Sequence, residues 1–227
     1  MKAIQIGVLL LHSYQWLDLV GPVDYIQTHS QKFLGDVAPP ALVAKAPNIT
    51  WHYVSESNDF SPIVATSGPP QIATTTFEKV PKLDYLIIPG ADVYHKFPPQ
   101  ATKFIQTRFP ELKALLTVCV GSLHLVQTGL LDGKRAATNK YALRLTVEQG
   151  KYQQFRNVSW VKDARFVVDG KIWTAAGVTA GLDLAAEFAR VTFDPEVNKL
   201  ASELFEYQAN PARPDPFKYL LDGGKLD

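Results

Sequence analysis

Short apolar runs alternate along the chain with stretches in which apolar residues recur at helical spacing. The apolar runs predict buried strands at residues 3–11, 41–46, 84–91 and 114–118, a short strand at 135–138, and several β-like pieces between 48 and 73. Helical spacing predicts helices at residues 99–108, 141–149, 182–193 and 195–207, and one more near the chain start with Pro22 in its first turn. Asp169 and Gly170 predict the two-residue turn of a hairpin over residues 165–174.

Strands that alternate with helices predict an α/β fold: a three-layer sandwich in which helices cover both faces of a mainly parallel, flavodoxin-like sheet, with a small β-hairpin excursion. No linker-like stretch divides the chain, so residues 1–227 are expected to form a single domain. Ligands of such sheets bind beyond the carboxyl ends of the strands. The loops at that edge are therefore where function is sought.

Composition narrows the class of protein. The chain is 46% apolar and 20% charged, as expected for a globular protein with a sizeable core. A net charge of +1 gives no support for a nucleic-acid or membrane-surface partner. No apolar run reaches the roughly 20 residues that span a bilayer. The first residues lack the apolar core of a signal peptide, so a cytoplasmic location is expected.

The single cysteine of the chain, Cys119, follows the apolar run 114–118 and is followed by Gly121 and a helical pattern. This order predicts a strand, a sharp turn and a helix, with the cysteine exposed at the turn. N–H groups at the start of the helix are expected to lower the pKa of the thiol and to hold an oxyanion. The alternative is that Cys119 is only a small buried apolar residue.

Four loops are expected to converge at the carboxyl edge of the sheet: residues 12–18, 90–95, 119–121 and 176–179. A nucleophilic cysteine needs a partner acid or base, and His12, His95 and Asp18 are the candidates. His124 lies more than one helical turn after Cys119, so it is expected to point away and to have a structural role. Asp18 has the alternative of a helix cap or a solvated loop carboxylate. No cysteine or histidine pair has metal-ligand spacing, so no metal site is expected.

Four motifs stand out: Thr-Val-Cys-Val-Gly-Ser at 117–122 with the stretch 128–138, Leu-Asp-Leu-Val-Gly-Pro at 17–22, Ile-Pro-Gly-Ala at 88–91, and Ala-Gly-Val-Thr-Ala-Gly-Leu-Asp at 176–183. Together they resemble the DJ-1/PfpI (ThiJ) superfamily. The resemblance covers roughly residues 4–189. An aspartate in the 17–22 motif is most similar to the isocyanide hydratase branch. The resemblance implies a class I glutamine amidotransferase-like fold and a homodimer.

The resemblance also implies a reaction, the hydration of an isocyanide to an N-substituted formamide. Cys119 would be the nucleophile and Asp18 the general acid/base, acting on a small-molecule substrate without a metal or organic cofactor. Residues expected to form the oxyanion and substrate pocket are Gly90, Ala91, Val120, Gly177 and Val178.

Two positions depart from the pattern of that branch, since Val120 stands where a threonine often follows the cysteine and Asn139 stands where relatives often carry a histidine. Two other functions therefore stay open. One is a glutathione-independent glyoxalase or deglycase that acts on 2-oxoaldehydes through the same residues. The other is a redox-responsive protein without enzymatic activity, whose Cys119 is oxidised to sulfinic acid.

Overall fold

The computed structural model describes residues 3–209 and 214–223. Its strands are β1 (Ile4–Leu10), β2 (Ile49–Ser55), β3 (Tyr85–Ile88), β4 (Ala114–Thr117), β5 (Arg135–Ala136), β6 (Ser159–Trp160), β7 (Phe166–Asp169) and β8 (Ile172–Ala175). Its α-helices are α1 (Trp16–Gln27), α2 (Gln31–Leu34), α3 (Pro40–Val43), α4 (Pro99–Arg108), α5 (Gly121–Leu125), α6 (Lys140–Glu148), α7 (Ala180–Thr192) and α8 (Pro195–Phe205). Short 3₁₀ turns at Phe109–Glu111, Val126–Thr128, Tyr152–Phe155 and Lys218–Leu221 complete the described elements.

Six strands form the main sheet in the order β2-β1-β3-β4-β8-β7. Every pair in it is parallel except the β7–β8 hairpin, which forms one edge. Helices cover both faces of the sheet, and α1 packs against α7. β5 and β6 form a separate two-stranded parallel sheet. The predicted α/β sandwich with a mainly parallel sheet is confirmed.

Strands β1, β3 and β4 lie in the middle of the sheet, and their sequences explain why. Each is an almost unbroken apolar run, as expected where helices cover both faces and no side is left for water. Ile6, Leu86 and Leu115 are fully buried in the core that these strands share. The predicted strands at 3–11, 84–91 and 114–118 are confirmed, and the helix at 99–108 begins and ends where the sequence predicts.

The predicted strand at residues 41–46 is wrong. Residues Pro40–Val43 form the helical turn α3, and none of its residues is buried. Pro40 stands at the first helical position, where the fixed φ of proline favours a helix and its missing N–H is not needed. The proline therefore outweighs the short apolar run that follows it.

The first helix also begins earlier than the sequence predicts. Trp16 starts α1, so Asp18 lies in its first turn and Pro22 in its interior. Pro22 cannot donate a backbone hydrogen bond, and the packing of α1 against α7 compensates for that loss. The hairpin turn is shifted by one residue as well: Asp169 pairs with Ile172, so Gly170 and Lys171 form the loop.

None of the helices within residues 3–209 and 214–223 is long and apolar enough to cross a bilayer. The proline-rich segment after Asn210 is expected on the surface, but residues 210–213 lie outside the described part of the chain. Beyond them, Asp215 is buried while its neighbours are exposed.

Candidate active site

Cys119 sits at the predicted elbow, between the end of β4 and the start of α5. Its φ is +57°, in the left-handed region that non-glycine residues rarely occupy. Its N–H donates to the carbonyl of Ala176 at 2.9 Å, and its own carbonyl accepts from the hydroxyls of Thr138 and Ser122 at 3.0 and 3.3 Å. These bonds from three segments of the chain hold the strained residue in place.

Gly121 makes this sharp turn sterically feasible. A Cβ added at this position would lie 2.6 Å from the carbonyl oxygen of Ile88 at the end of β3. Only a residue without a side chain allows α5 to start this close to the neighbouring strand. The same close packing brings the loop that follows β3 beside Cys119.

Asp18 is completely buried beside the elbow. Its Oδ2 accepts a hydrogen bond from the N–H of Gly90 at 3.0 Å. Its Oδ1 is buried without a hydrogen-bond partner among the described residues. The alternative of a capping or solvated carboxylate is wrong, since Asp18 caps no helix and its side chain is not exposed on the surface. Gly90 permits the approach, because a Cβ there would lie 2.9 Å from Oδ2.

The electrostatics of the two groups are linked. Burial raises the pKa of Asp18 to about 7, against the weaker opposing effects of the Gly90 N–H and of the Cys119 side chain. Burial also raises the pKa of Cys119 to about 12, and the negative charge of Asp18 adds to that effect. Hydrogen bonds from Asn139, Val120 and Val178 to the sulfur act in the opposite direction but do not prevail.

The expected lowering of the thiol pKa is therefore wrong. The start of α5 contributes through the Val120 N–H, but the helix has only five residues, and its dipole is correspondingly weak. Cys119 itself is only 7% exposed, so desolvation of a thiolate outweighs these dipoles. The raised pKa keeps the sulfur as a thiol at neutral pH.

The sequence did not predict that Asn139 contacts the sulfur of Cys119. Its Nδ2 donates to the sulfur of Cys119 at 3.3 Å, while its Oδ1 accepts from the N–H of Ala142 at 3.0 Å and caps α6. The capping bond fixes which end of the amide faces the sulfur, since only Oδ1 can accept from an N–H. An asparagine before the helical pattern at 141–149 is a recognisable capping signal, but it does not reveal the thiol.

The expected pocket residues divide into two groups. The N–H of Gly90 is bonded to Asp18, and that of Ala91 donates to Nε2 of His124 at 3.1 Å. Val120 and Val178 instead direct their N–H groups at the sulfur of Cys119.

Gly177, beside Val178, is close to the cysteine through Asn139. A Cβ added at Gly177 would lie 3.3 Å from the Nδ2 of Asn139. All four predicted loops thus meet around Cys119, as the topology requires.

The contacts of His12, His95 and His124 are with groups other than the sulfur of Cys119. His124 is fully buried, and burial lowers its pKa to about 3, so it is a neutral acceptor for Ala91 with the structural role expected of it. His95 pairs through Nε2 with Oε2 of the buried Glu56 at 2.6 Å. Oε1 of Glu56 accepts from the backbone N–H of His12 at 2.6 Å, and the His12 side chain is exposed. Asp18 is the one predicted acid or base that the described contacts bring to Cys119.

A metal is not suggested by the arrangement of side chains. Among residues 3–209 and 214–223, no three histidine, cysteine, aspartate or glutamate side chains are grouped so that they could hold an ion. The site offers a buried carboxyl group beside a thiol, with several N–H donors directed at the sulfur.

Comparison with known proteins gives three findings. The model of the DJ-1/PfpI family matches residues 5–191. Isonitrile hydratase of Pseudomonas putida is 33% identical over 211 residues, which cover 92% of this chain and 81% of the hydratase. The HTH-type transcriptional regulator CdhR of Pseudomonas aeruginosa is 28% identical over 156 residues, 68% of this chain but only 44% of the regulator.

Solved structures agree with the fold. A ThiJ/PfpI family protein from Pseudomonas syringae superposes with a TM-score of 0.72 at 25% identity, covering 93% of this chain and 78% of that protein. DJ-1beta of Drosophila melanogaster gives 0.69 at 14% identity and covers 91% of this chain and all of that protein, which shows the fold alone.

Proposed function

This chain belongs to the DJ-1/PfpI family, and we propose that it is a cysteine-dependent hydratase that converts an isocyanide into an N-substituted formamide. Cys119 is the nucleophile and Asp18 the general acid/base. Likeness to the isonitrile hydratase of Pseudomonas putida supports this choice within the family, since isonitrile is another word for isocyanide. The reaction draws on the residues of this chain and on water.

The observation that carries the proposal is the burial of Asp18 beside the thiol. Because the pKa of Cys119 is raised to about 12, a thiolate must be generated when the substrate binds, and a base must take the proton. Because the pKa of Asp18 is raised to about 7, its carboxylate and carboxylic acid forms are both well populated at neutral pH. A group with that pKa can both accept and return a proton.

The first half of the reaction forms a covalent intermediate. Asp18 takes the thiol proton as the sulfur of Cys119 attacks the terminal carbon of R–N≡C. The proton then passes from Asp18 to that same carbon, which gives the thioimidate R–N=CH–S–Cys119. The N–H groups of Val120 and Val178 and the amide of Asn139 stabilise the sulfur while it carries negative charge.

The second half releases the product. Water loses a proton to the Asp18 carboxylate and adds to the thioimidate carbon, and Asp18 passes that proton to the nitrogen, which gives R–NH–CH(OH)–S–Cys119. Asp18 then takes the hydroxyl proton as the C–S bond breaks, the sulfur recovers this proton from Asp18, and R–NH–CHO leaves. The sum is one isocyanide and one water consumed for each formamide. Oδ1 of Asp18, which has no partner among the described residues, is the oxygen available to that water.

A second candidate is a domain that binds a small molecule without turning it over. The observation in its favour is the likeness to the transcriptional regulator CdhR, of which this chain matches 44%. Two further alternatives use the same site: a glutathione-independent glyoxalase or deglycase that acts on 2-oxoaldehydes, and a non-enzymatic redox response of Cys119. The raised pKa of the thiol disfavours a redox response, because oxidation proceeds from the thiolate.

Parallel assays separate these functions. The wild-type protein, Cys119→Ala and Asp18→Asn are each supplied with an aryl isocyanide or with methylglyoxal, and formamide and lactate are measured. We expect formamide from the wild type alone, and at least a hundredfold loss in both variants. Lactate production would favour the glyoxalase or deglycase. Binding of either compound without turnover would favour the ligand-binding domain.

A further inference from the structure

A cavity of about 270 Å³ lies between the residues around the active site and the segment that contains Asp215, Phe217 and Leu220. Asn139 and Val178 line it, and both also hydrogen bond to the sulfur of Cys119. The cavity therefore adjoins the residues that surround the nucleophile. Its outer wall comes from residues 214–221, which include a 3₁₀ turn at Lys218–Leu221 that packs against α6.

The segment is anchored by a buried ion pair. Nζ of Lys140 lies 2.7 Å from Oδ2 of Asp215, and both side chains are only 3% exposed. Lys140 also donates to the carbonyl of Ala164 at 2.9 Å. Oδ1 of Asp215 accepts the N–H of Phe217 at 2.9 Å, and the Asp215 N–H donates to the carbonyl of Asp163. The carboxylate thus fixes both the segment and the backbone of Phe217.

Lys140 directly follows Asn139 in the chain, so the ion pair with Asp215 and the hydrogen bond to Cys119 come from adjacent residues. Asn139 caps α6 and donates to the thiol, and the next residue holds the segment that closes the cavity. A buried ion pair costs about as much in desolvation as it returns in attraction, so such a pair is better suited to fixing register than to stabilising the fold.

Phe217 and Leu220 give the outer wall an apolar surface. Phe217 is 51% exposed and Leu220 is half-buried, and both line the cavity. The cations that line it are already paired, Lys140 with Asp215 and Arg165 with Asp183. A neutral apolar group therefore suits the cavity better than a charged one.

We propose that Phe217 and Leu220 bind the apolar substituent R of the substrate and so determine specificity, with Lys140 and Asp215 as positioning residues that hold the wall in register; this assignment rests on the proposed function. An aryl or branched alkyl isocyanide would place its terminal carbon at the sulfur of Cys119 and its substituent against this wall. Substrates with a charged substituent would be rejected.

The test uses alkylation of Cys119, which needs no turnover. The chain has one cysteine, so every thiol adduct reports this site. Rate constants are measured with N-benzylmaleimide and N-methylmaleimide, which share the reactive ring and differ in the apolar group. In both, the sulfur adds to the C=C bond and the thiol proton passes to the adjacent carbon.

Phe217→Ala and Leu220→Ala should each lower the ratio of benzyl to methyl rate constants about three- to tenfold, because apolar contact with the benzyl group is lost. The matched control is Tyr219→Ala, since Tyr219 lies in the same segment, is 59% exposed and does not line the cavity. Its ratio should equal that of the wild type. Equal ratios in all four proteins would overturn the proposal.

Asp215→Asn tests the positioning role. Loss of the charge should lower the same ratio while the rate constant for N-methylmaleimide stays within about twofold of the wild type. A parallel fall in both rate constants would indicate general damage to the site and would contradict a positioning role. If this variant does not fold, the two wall variants still decide the assignment.

The ratio of maleimide rate constants and the formamide assay can fail independently of each other. A lowered ratio with no formamide from any isocyanide would retain the wall and reject the hydratase. Formamide production from the wild type with an unchanged ratio in Phe217→Ala and Leu220→Ala would retain the hydratase and reject the wall.

Discussion

Asp18→Asn should change the way in which the stability of the protein depends on pH. In the unfolded chain the carboxyl loses its proton near its ordinary pKa of 3.8, whereas in the folded protein burial raises the pKa to about 7. Between these values the folded state binds more protons than the unfolded state. The wild-type free energy of unfolding therefore falls as pH rises from about 4 to about 7.

The size of the effect follows from the two pKa values. Raising the pKa of Asp18 from 3.8 to about 7 costs the wild type about 4 kcal/mol above pH 7, since a tenfold change in an equilibrium constant corresponds to about 1.4 kcal/mol. Asparagine carries no charge and avoids this cost. It can still accept the Gly90 N–H, but its amide nitrogen would replace the unpartnered Oδ1 and incur a penalty of about 1–2 kcal/mol that does not vary with pH.

The pH dependence of the free energy of unfolding is therefore a sharper test than the difference between the two proteins at one pH. Urea unfolding of both proteins is measured at several pH values between 5 and 8, below the range in which the thiol begins to ionise in the unfolded chain. The free energy of unfolding of Asp18→Asn minus that of the wild type should increase by up to about 1.4 kcal/mol for each pH unit up to pH 7, and should then stay constant.

Asp24→Asn is the matched control for this measurement. Asp24 lies on the same helix, but its side chain is exposed, so the substitution should leave the slope unchanged. Two curves that run parallel for the wild type and Asp18→Asn would refute the claim that Asp18 is held in a desolvated site with a raised pKa.

Three further outcomes are expected. Asn139→Asp keeps a helix-capping side chain but adds a negative charge beside the sulfur, so alkylation of Cys119 by iodoacetamide should slow by about tenfold with little change in stability; a faster reaction would contradict the assigned contact. Gly121→Ala should lower the free energy of unfolding by about 2–3 kcal/mol because its Cβ would meet the Ile88 carbonyl, and a neutral effect in urea unfolding would contradict the packing. For the wild type, kcat/KM for formamide production should rise as pH passes from 6 to 8, because the first step needs the Asp18 carboxylate; a flat profile would argue against Asp18 as the base.

Much of the fold could be predicted from the sequence because the central strands are buried on both faces. A continuous apolar run such as Tyr85–Ile88 is rarely found outside the core of a globular protein. The prediction failed at residues 41–46, where a short apolar run follows two prolines and forms part of a helical turn. It also failed at the start of α1, because packing against α7 tolerates Pro22 in the helix interior.

The candidate site was only partly predictable. The elbow at Cys119 and the loop of Asp18 follow from the order of strands, since the carboxyl ends of parallel strands meet at one edge. The contact of Asn139 with the sulfur does not, because it depends on how β5, which precedes α6 in the chain, packs against β8. The direction of the thiol pKa was mispredicted because the sequence indicates a helix start but not the depth at which the sulfur is buried.

Mass spectrometry of the protein quenched during turnover of an aryl isocyanide tests the central claim most directly. We predict an intact mass increased by one isocyanide, an adduct that maps to the peptide containing Cys119, and neither adduct nor formamide from Cys119→Ala. Formamide production by Cys119→Ala at the wild-type rate would contradict covalent catalysis by the buried thiol and its Asp18 partner.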